Sequence, residues 1–240
     1  MPAVRLPLYR LRRLGLARRP GRFQPYAVNN RPAATSLKPI TKECTANDRT
    51  AISPLSVLPQ IRALGRHRGR NPLPLFWTAS GAELLFTGSE LWFQLECDYT
   101  EIEPWVSIEL NGAWIARQAL TPGRNRVCAF RGMTPGTPKH VRLLNDVQPM
   151  QQDPTHFLQL NAVEYAGGEF LPLPEPRCRL EFVGDSITSG EGTLGARQEE
   201  DWIGAFFSAE NHYARLTPMR SGLSTALSPR VLGHRLRVGQ

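Results

Sequence analysis

Hydrophobic and polar positions alternate with a period of two along most of residues 73–170, the pattern of strands that bury one face. The alternation is plainest in Leu91-Trp92-Phe93-Gln94-Leu95-Glu96 and in Val106-Ser107-Ile108-Glu109-Leu110. It predicts strands at Leu73–Ala79, Ala82–Thr87, Glu90–Tyr99, Trp105–Leu110, Ala113–Ala119, Arg126–Arg131, Lys139–Asp146 and Phe157–Tyr165. Asn111-Gly112 is a strong hairpin signal, because both residues tolerate positive φ. Gly88, Pro122-Gly123 and Pro135-Gly136-Thr137-Pro138 punctuate the rest. Short strands at this spacing predict an antiparallel sandwich or jelly roll.

The pattern then changes. Phe170-Leu171-Pro172-Leu173-Pro174-Glu175-Pro176 is a stiff, extended connector, and it places a domain boundary near residue 172. It leads into a β-prone run, Leu180, Phe182 and Val183, that stops at Gly184-Asp185-Ser186. Gly184 permits a sharp turn there, and Ser186 falls where strand is expected to give way to helix, with the next N–H groups free for an oxyanion. Gly-Asp-Ser is also ordinary turn vocabulary. Residues 199–216 predict that helix, with Asp201 as its cap and Ile203, Phe206, Phe207, Tyr213 and Leu216 on one face. Strand, serine turn and helix form the opening unit of an α/β domain.

Charge divides the chain. Residues 1–70 hold 15 Lys+Arg against Glu43 and Asp48, a net of +13, and residues 71–240 hold 14 against 19 acids, a net of −5. The overall +8 therefore belongs to one end. The body suits an enzyme of neutral substrates better than a nucleic-acid binder. Residues 1–56 interleave arginine with Pro2, Pro7, Pro20 and Pro25, keep no structural period and read as a disordered basic extension. They lack the apolar core of a secretory signal, and the compartment stays open. No apolar run approaches the roughly 18 residues that cross a membrane. Cys44, Cys97, Cys128 and Cys178 are far apart, with no C-x-x-C and no histidine at ligand spacing, which argues against zinc. Cys97 and Cys128 fall in predicted strands and read as plain thiols.

The segment Glu181-Phe182-Val183-Gly184-Asp185-Ser186-Ile187-Thr188, preceded by a small sandwich, resembles the second family of carbohydrate esterases, which are SGNH-type (GDSL-like) hydrolases with an N-terminal jelly roll. Leu110-Asn111-Gly112-Ala113-Trp114 and Arg131-Gly132-Met133-Thr134-Pro135-Gly136 fit that first domain. The resemblance covers about residues 57–217 and implies deacetylation of O-acetylated polysaccharide or sugar esters. By it, Ser186 is the nucleophile and its N–H one oxyanion donor, Gly184 and Asp185 shape the turn, a histidine is the base, and no metal or other cofactor takes part. It divides the chain into a basic extension (1–56), a jelly-roll sandwich (57–172), the start of an SGNH α/β domain (173–217) and a non-homologous basic tail (218–240). Nucleic acid and membrane are not expected partners.

The sequence departs from that family after Ser186. His212 and His234 have Ala209 and Val231 three positions earlier, so neither stands in Asp-x-x-His. His212 reads as a surface residue of the expected helix. The one Asp-x-x-His, Asp153-Pro154-Thr155-His156, precedes the serine and reads as a loop coincidence. Beyond Thr217 the Arg/Ser/Pro/Leu texture, without an acid, matches the first 50 residues, and both ends read as out-of-frame translation flanking an authentic fragment. Residues 178–217 are expected to expose apolar surface, and the chain to be inactive or nearly so for want of a base. Two other classes remain open. One is a non-catalytic sugar-binding sandwich using Trp92, Trp105 and Trp114, and the other a polyanion binder working through the basic arm.

Overall fold

Alternating side chains need a second layer to cover them, and in the computed structural model two antiparallel sheets supply it for each other. The structure describes residues 50–150, 152–175, 181–220 and 228–231, all within one compact unit spanning Glu43–Gln240. The strands are β1 (Ala51–Pro54), β2 (Arg62–Leu64), β3 (Leu73–Pro74), β4 (Gly81–Phe86), β5 (Glu90–Asp98) and β6 (Trp105–Leu110). After them come β7 (Ala113–Ala119), β8 (Gly123–Phe130), β9 (Lys139–Asn145), β10 (Phe157–Ala166) and β11 (Phe170–Leu171). One sheet runs β1-β10-β5-β8 with β3 also on β10, the other β11-β4-β9-β6-β7 with β2 also on β4. Leu91, Phe93, Leu95, Val127, Leu160 and Val163 from the first meet Leu84, Phe86, Val106, Ile108, Val141 and Leu143 from the second in one buried core.

Every strand expected from alternation is present, and the hairpin at Asn111-Gly112 has both residues at positive φ, 53° and 81°. The strand expected at Leu73–Ala79 is cut to Leu73–Pro74. Beyond it the carbonyls of Leu75 and Trp77 accept from the Asn145 side-chain amide at 3.1 and 3.4 Å, and the Ser80 amide closes a turn onto Trp77 O, so the chain bends away from the ladder. Strand β1 sits ahead of residue 57, inside the span read as basic extension, and pairs along its length with β10. Residues 1–49 lie outside the described residues, as do Cys44 and Cys178. Cys97 and Cys128 are free thiols, and burial pushes Cys97 up to about 11.

After the connector the chain forms β12 (Glu181–Gly184), helix α1 (Tyr213–Arg220) and β13 (Ser228–Val231), which pairs parallel to β12. Within the expected basic tail, residues 218–220 end α1 and Ser228–Val231 form β13. The rest of that tail, with His234, lies outside the described residues. No helix among the described residues is long and apolar enough to cross a membrane.

Candidate active site

The helix expected over residues 199–216 does not form. Residues 204–206 make one 3-10 turn, and α-helix begins only at Tyr213. The reason lies on the neighbouring sheet, where Arg117 of β7 donates to the carbonyls of Gly204 at 2.9 Å, Ala205 at 3.0 Å and Phe207 at 2.8 Å. Arg117 thereby fixes these carbonyls about a 3-10 turn, in which Gly204 O also accepts from the Phe207 amide at 3.2 Å, and Phe207 leaves the turn in an extended conformation. Asp201 caps nothing, and its own N–H donates to Glu199 Oε1.

Arg117 is itself fixed. Its Nε donates to Asp146 Oδ2 at 2.8 Å, and its guanidinium lies 4.1 Å from the Trp105 ring centre. Asp146, fully buried, also accepts from Ser107 Oγ at 2.7 Å and from the Ala209 amide at 2.9 Å. One Arg–Asp pair thereby ties the outer face of the second sheet to residues 204–209. A ladder of charges continues across that face. Glu83 accepts from Arg62, His140 and Arg142, Arg142 reaches Glu109 at 3.3 Å, and Glu109 pairs with Arg215 of α1. Burial alone would raise Glu83, but hydrogen bonds from His140, Arg142 and Arg62 and the Arg142 charge outweigh it and hold it at about 2. Glu210, bonded to Arg215 at 3.3 Å, is pushed up to about 8 by burial and by the Glu109 charge.

The serine stands on this docked segment. Ser186 is exposed at the end of β12, and neither its Oγ nor its N–H has a hydrogen-bond partner among the described residues. The chain leaves the serine in a run of turns, not the expected helix. The Ile187 amide donates to Asp185 Oδ1 at 3.1 Å, and those of Thr188 and Ser189 to Asp185 O at 3.0 and 3.1 Å. The N–H groups expected to be free after the serine are therefore used, and Asp185 is what folds the turn. Gly184 is required by contact, since a Cβ there would lie 2.0 Å from Thr188 Oγ1. Thr188 Oγ1 in turn lies 2.8 Å from Tyr213 Oη, while Tyr213 stacks edge-on with Phe182. Gly190, at φ +77°, accepts from the Ser208 amide at 3.0 Å. Arg117, Ser208 and Gly190 thus connect sandwich, docked segment and serine loop through direct contacts.

No described histidine hydrogen-bonds to Ser186. His67 bonds Gly69 O and His140 bonds Glu83, while His156 and His212 are buried with no hydrogen-bond partner for their ring nitrogens among the described residues. His212, expected at the surface, is 4% exposed, and burial pushes it down to about 4. Asp153, in the loop Asp-x-x-His, has a structural task. Its Oδ2 accepts from the amides of Thr100, Glu101 and Ile102 at 2.9, 2.8 and 3.2 Å, pinning that turn and holding its carboxyl well below the usual range despite burial. Of the candidate sugar platforms, Trp92 has Arg126 3.5 Å above its ring and Trp105 has Arg117, whereas Trp114 is 41% exposed. Among the described residues, no group of three or more His, Cys, Asp or Glu is placed to hold a metal ion.

No protein-family model and no curated protein sequence matches the chain. Solved structures do. An acetyl xylan esterase from the rumen bacterium Butyrivibrio proteoclasticus is 42% identical with a TM-score of 0.71, over 76% of this chain and 49% of its own. A family two carbohydrate esterase from Clostridium thermocellum, in complex with cellohexaose, superposes with a TM-score of 0.61 at 22% identity, over 72% of this chain and 50% of its own. One from Cellvibrio japonicus gives 0.63 at 19% identity, over 78% and 52%. The chain spans about half the length of each, and its structural neighbours are family two carbohydrate esterases.

Proposed function

We propose that the chain is the sandwich and serine-bearing opening of an acyl-ester hydrolase of the carbohydrate esterase kind, acting on O-acetylated polysaccharide or sugar esters. The observation that carries the reading is the exposed, unpartnered Ser186 on a turn built by Gly184 and Asp185, in a chain 42% identical to an acetyl xylan esterase. Four nested antiparallel pairs, β1·β10, β4·β9, β5·β8 and β6·β7, alternate between the two sheets and support reading the sandwich as a jelly roll. In the chemistry proposed, Ser186 Oγ attacks the acetyl carbonyl, the Ser186 N–H faces the oxyanion, and the sugar hydroxyl leaves. Water then hydrolyses the acetyl-serine.

Both steps need a base, and the described residues give Ser186 none. Catalysis by the chain alone is therefore weak, because an unassisted serine hydroxyl is a poor nucleophile at its ordinary pKa. Acetate release from acetylated xylan tests this. The expected rate lies close to that of Ser186→Ala, and rapid release abolished by that substitution overturns the low-activity reading. With Trp92 and Trp105 covered by arginines, a sugar-binding module working through a three-tryptophan platform is the weaker reading.

A further inference from the structure

The arginine-rich stretch Arg66-His67-Arg68-Gly69-Arg70 does not belong to the basic extension. It comes after β2 in the folded body. With Phe76 and Trp77 from the loop before β4, Arg66, His67 and Arg68 line a groove of about 330 Å³, at the small end of ordinary ligand sites. Arg68 is exposed and has no hydrogen-bond or ion-pair partner among the described residues. Phe76 is 43% exposed, although both of its chain neighbours in the loop, Leu75 and Trp77, are held in place. The loop is rigid by construction. Trp77 O accepts from the Ser80 amide at 2.9 Å and Ser80 Oγ at 2.5 Å, Asn145 grips the carbonyls of Leu75 and Trp77, and Ala79 is fixed at φ 61°. His67 Nδ1 donates to Gly69 O at 3.0 Å, ordering the opposite wall.

The loop that carries Phe76 and Trp77 runs on to Ala79, which meets the segment docked beside the serine loop. Ala79 packs with Leu64, Leu144 and Ala209, and the residue before Ala209 is the Ser208 that donates to Gly190 of the serine loop. The groove's chemistry is specific. An aromatic face packs against the C–H face of a pyranose ring, and a free guanidinium pairs with a carboxylate through two parallel N–H donors. Residues 71–240 carry a net −5, so the arginines of this stretch stand against an acidic folded body.

We infer that the groove is a subsite for an acidic sugar, a uronic acid residue of the polysaccharide whose acetyl esters Ser186 meets. The inference rests on the esterase reading for the identity of that polysaccharide, but its test does not require turnover. The full chain is titrated by calorimetry at low salt with a xylo-oligosaccharide bearing one glucuronic acid, and with the same oligosaccharide lacking it. The acidic oligosaccharide binds about tenfold more tightly, the worth of one charge-assisted pair. Arg68→Gln removes that preference, while Phe76→Ala weakens both ligands. Equal affinity for the two, or a preference that survives in the Arg68→Gln, His67→Gln double variant, overturns the inference. A heparin fragment or oligonucleotide whose binding Arg68→Gln weakens as much as that of the acidic sugar also overturns it, since the groove is then a general polyanion surface. Acetate release is read separately, so loss of the esterase reading and loss of the subsite are distinguishable.

Discussion

Arg117 decides where the serine segment sits. It satisfies three carbonyls of residues 204–207 and neutralises Asp146, a carboxylate with no access to water. Removing one partner of a buried pair leaves the other charged and unpaired, which costs about 3–5 kcal/mol. Arg117→Ala is therefore expected to lower stability by about 3 kcal/mol in urea unfolding, and Arg117→Lys to recover little, because an ammonium cannot reproduce the guanidinium fork. A loss below about 1 kcal/mol for Arg117→Ala contradicts the assigned role. None of this was legible in the sequence. On an edge strand that is largely exposed, an arginine at an alternating position looks like a solvated charge, and its partners lie 29 to 90 residues away. His212 was hidden for the same reason, since the docking of residues 204–215 on that sheet through Arg117, Asp146 and Glu109 leaves no local signal.

At the scale of elements, the sequence was informative wherever one face of a strand is buried and the other is not. In β5 buried and half-buried positions alternate without a break from Glu90 to Cys97, and the expected strand matches the observed one to within a residue. The pattern failed for residues 199–216, where Phe206, Phe207 and Tyr213 fit a helical face but Arg117 takes the carbonyls. It also missed β2 and β11, which are too short to show a period. The contact between α1 and the second sheet makes its own prediction. Glu210 sits against Glu109, Asp146 and Arg215, and its pKa of about 8 lies above the ordinary 4.5. Between those values the folded state holds a proton that the unfolded state has lost, so stability falls as pH rises from about 4.5 through about 8. Glu210→Gln is expected to flatten that decline in urea midpoints measured across the range. His212, depressed to about 4, contributes the opposite slope below its unfolded value of 6.5 and is unchanged in the variant, so the difference between the two curves isolates Glu210. Parallel curves rule out the assignment.

The molecule as a whole is uneven in how well it covers itself. Val183, Ile187, Leu194, Trp202, Ile203, Tyr213 and Leu216 of the serine segment are all more than a third exposed, whereas the core between the sheets is closed. Amide hydrogen exchange is expected to show residues 181–216 opening well before β5 and β9, because few buried apolar contacts hold them. Uniform protection across both regions contradicts that ordering. The central proposal is that Ser186 is an acyl acceptor presented by a built turn and given no base by the described residues, and an activated ester tests it most directly. p-Nitrophenyl acetate has a leaving group that needs no acid, so slow acylation of Ser186 is expected, with deacylation slower still if no base reaches it. Peptide mapping by mass spectrometry after exposure to this ester reads the outcome. The prediction is a persistent acetyl group on Ser186, above the level at other exposed serines and absent from Ser186→Ala. Acetylation of Ser186 no greater than that of other exposed serines contradicts the account.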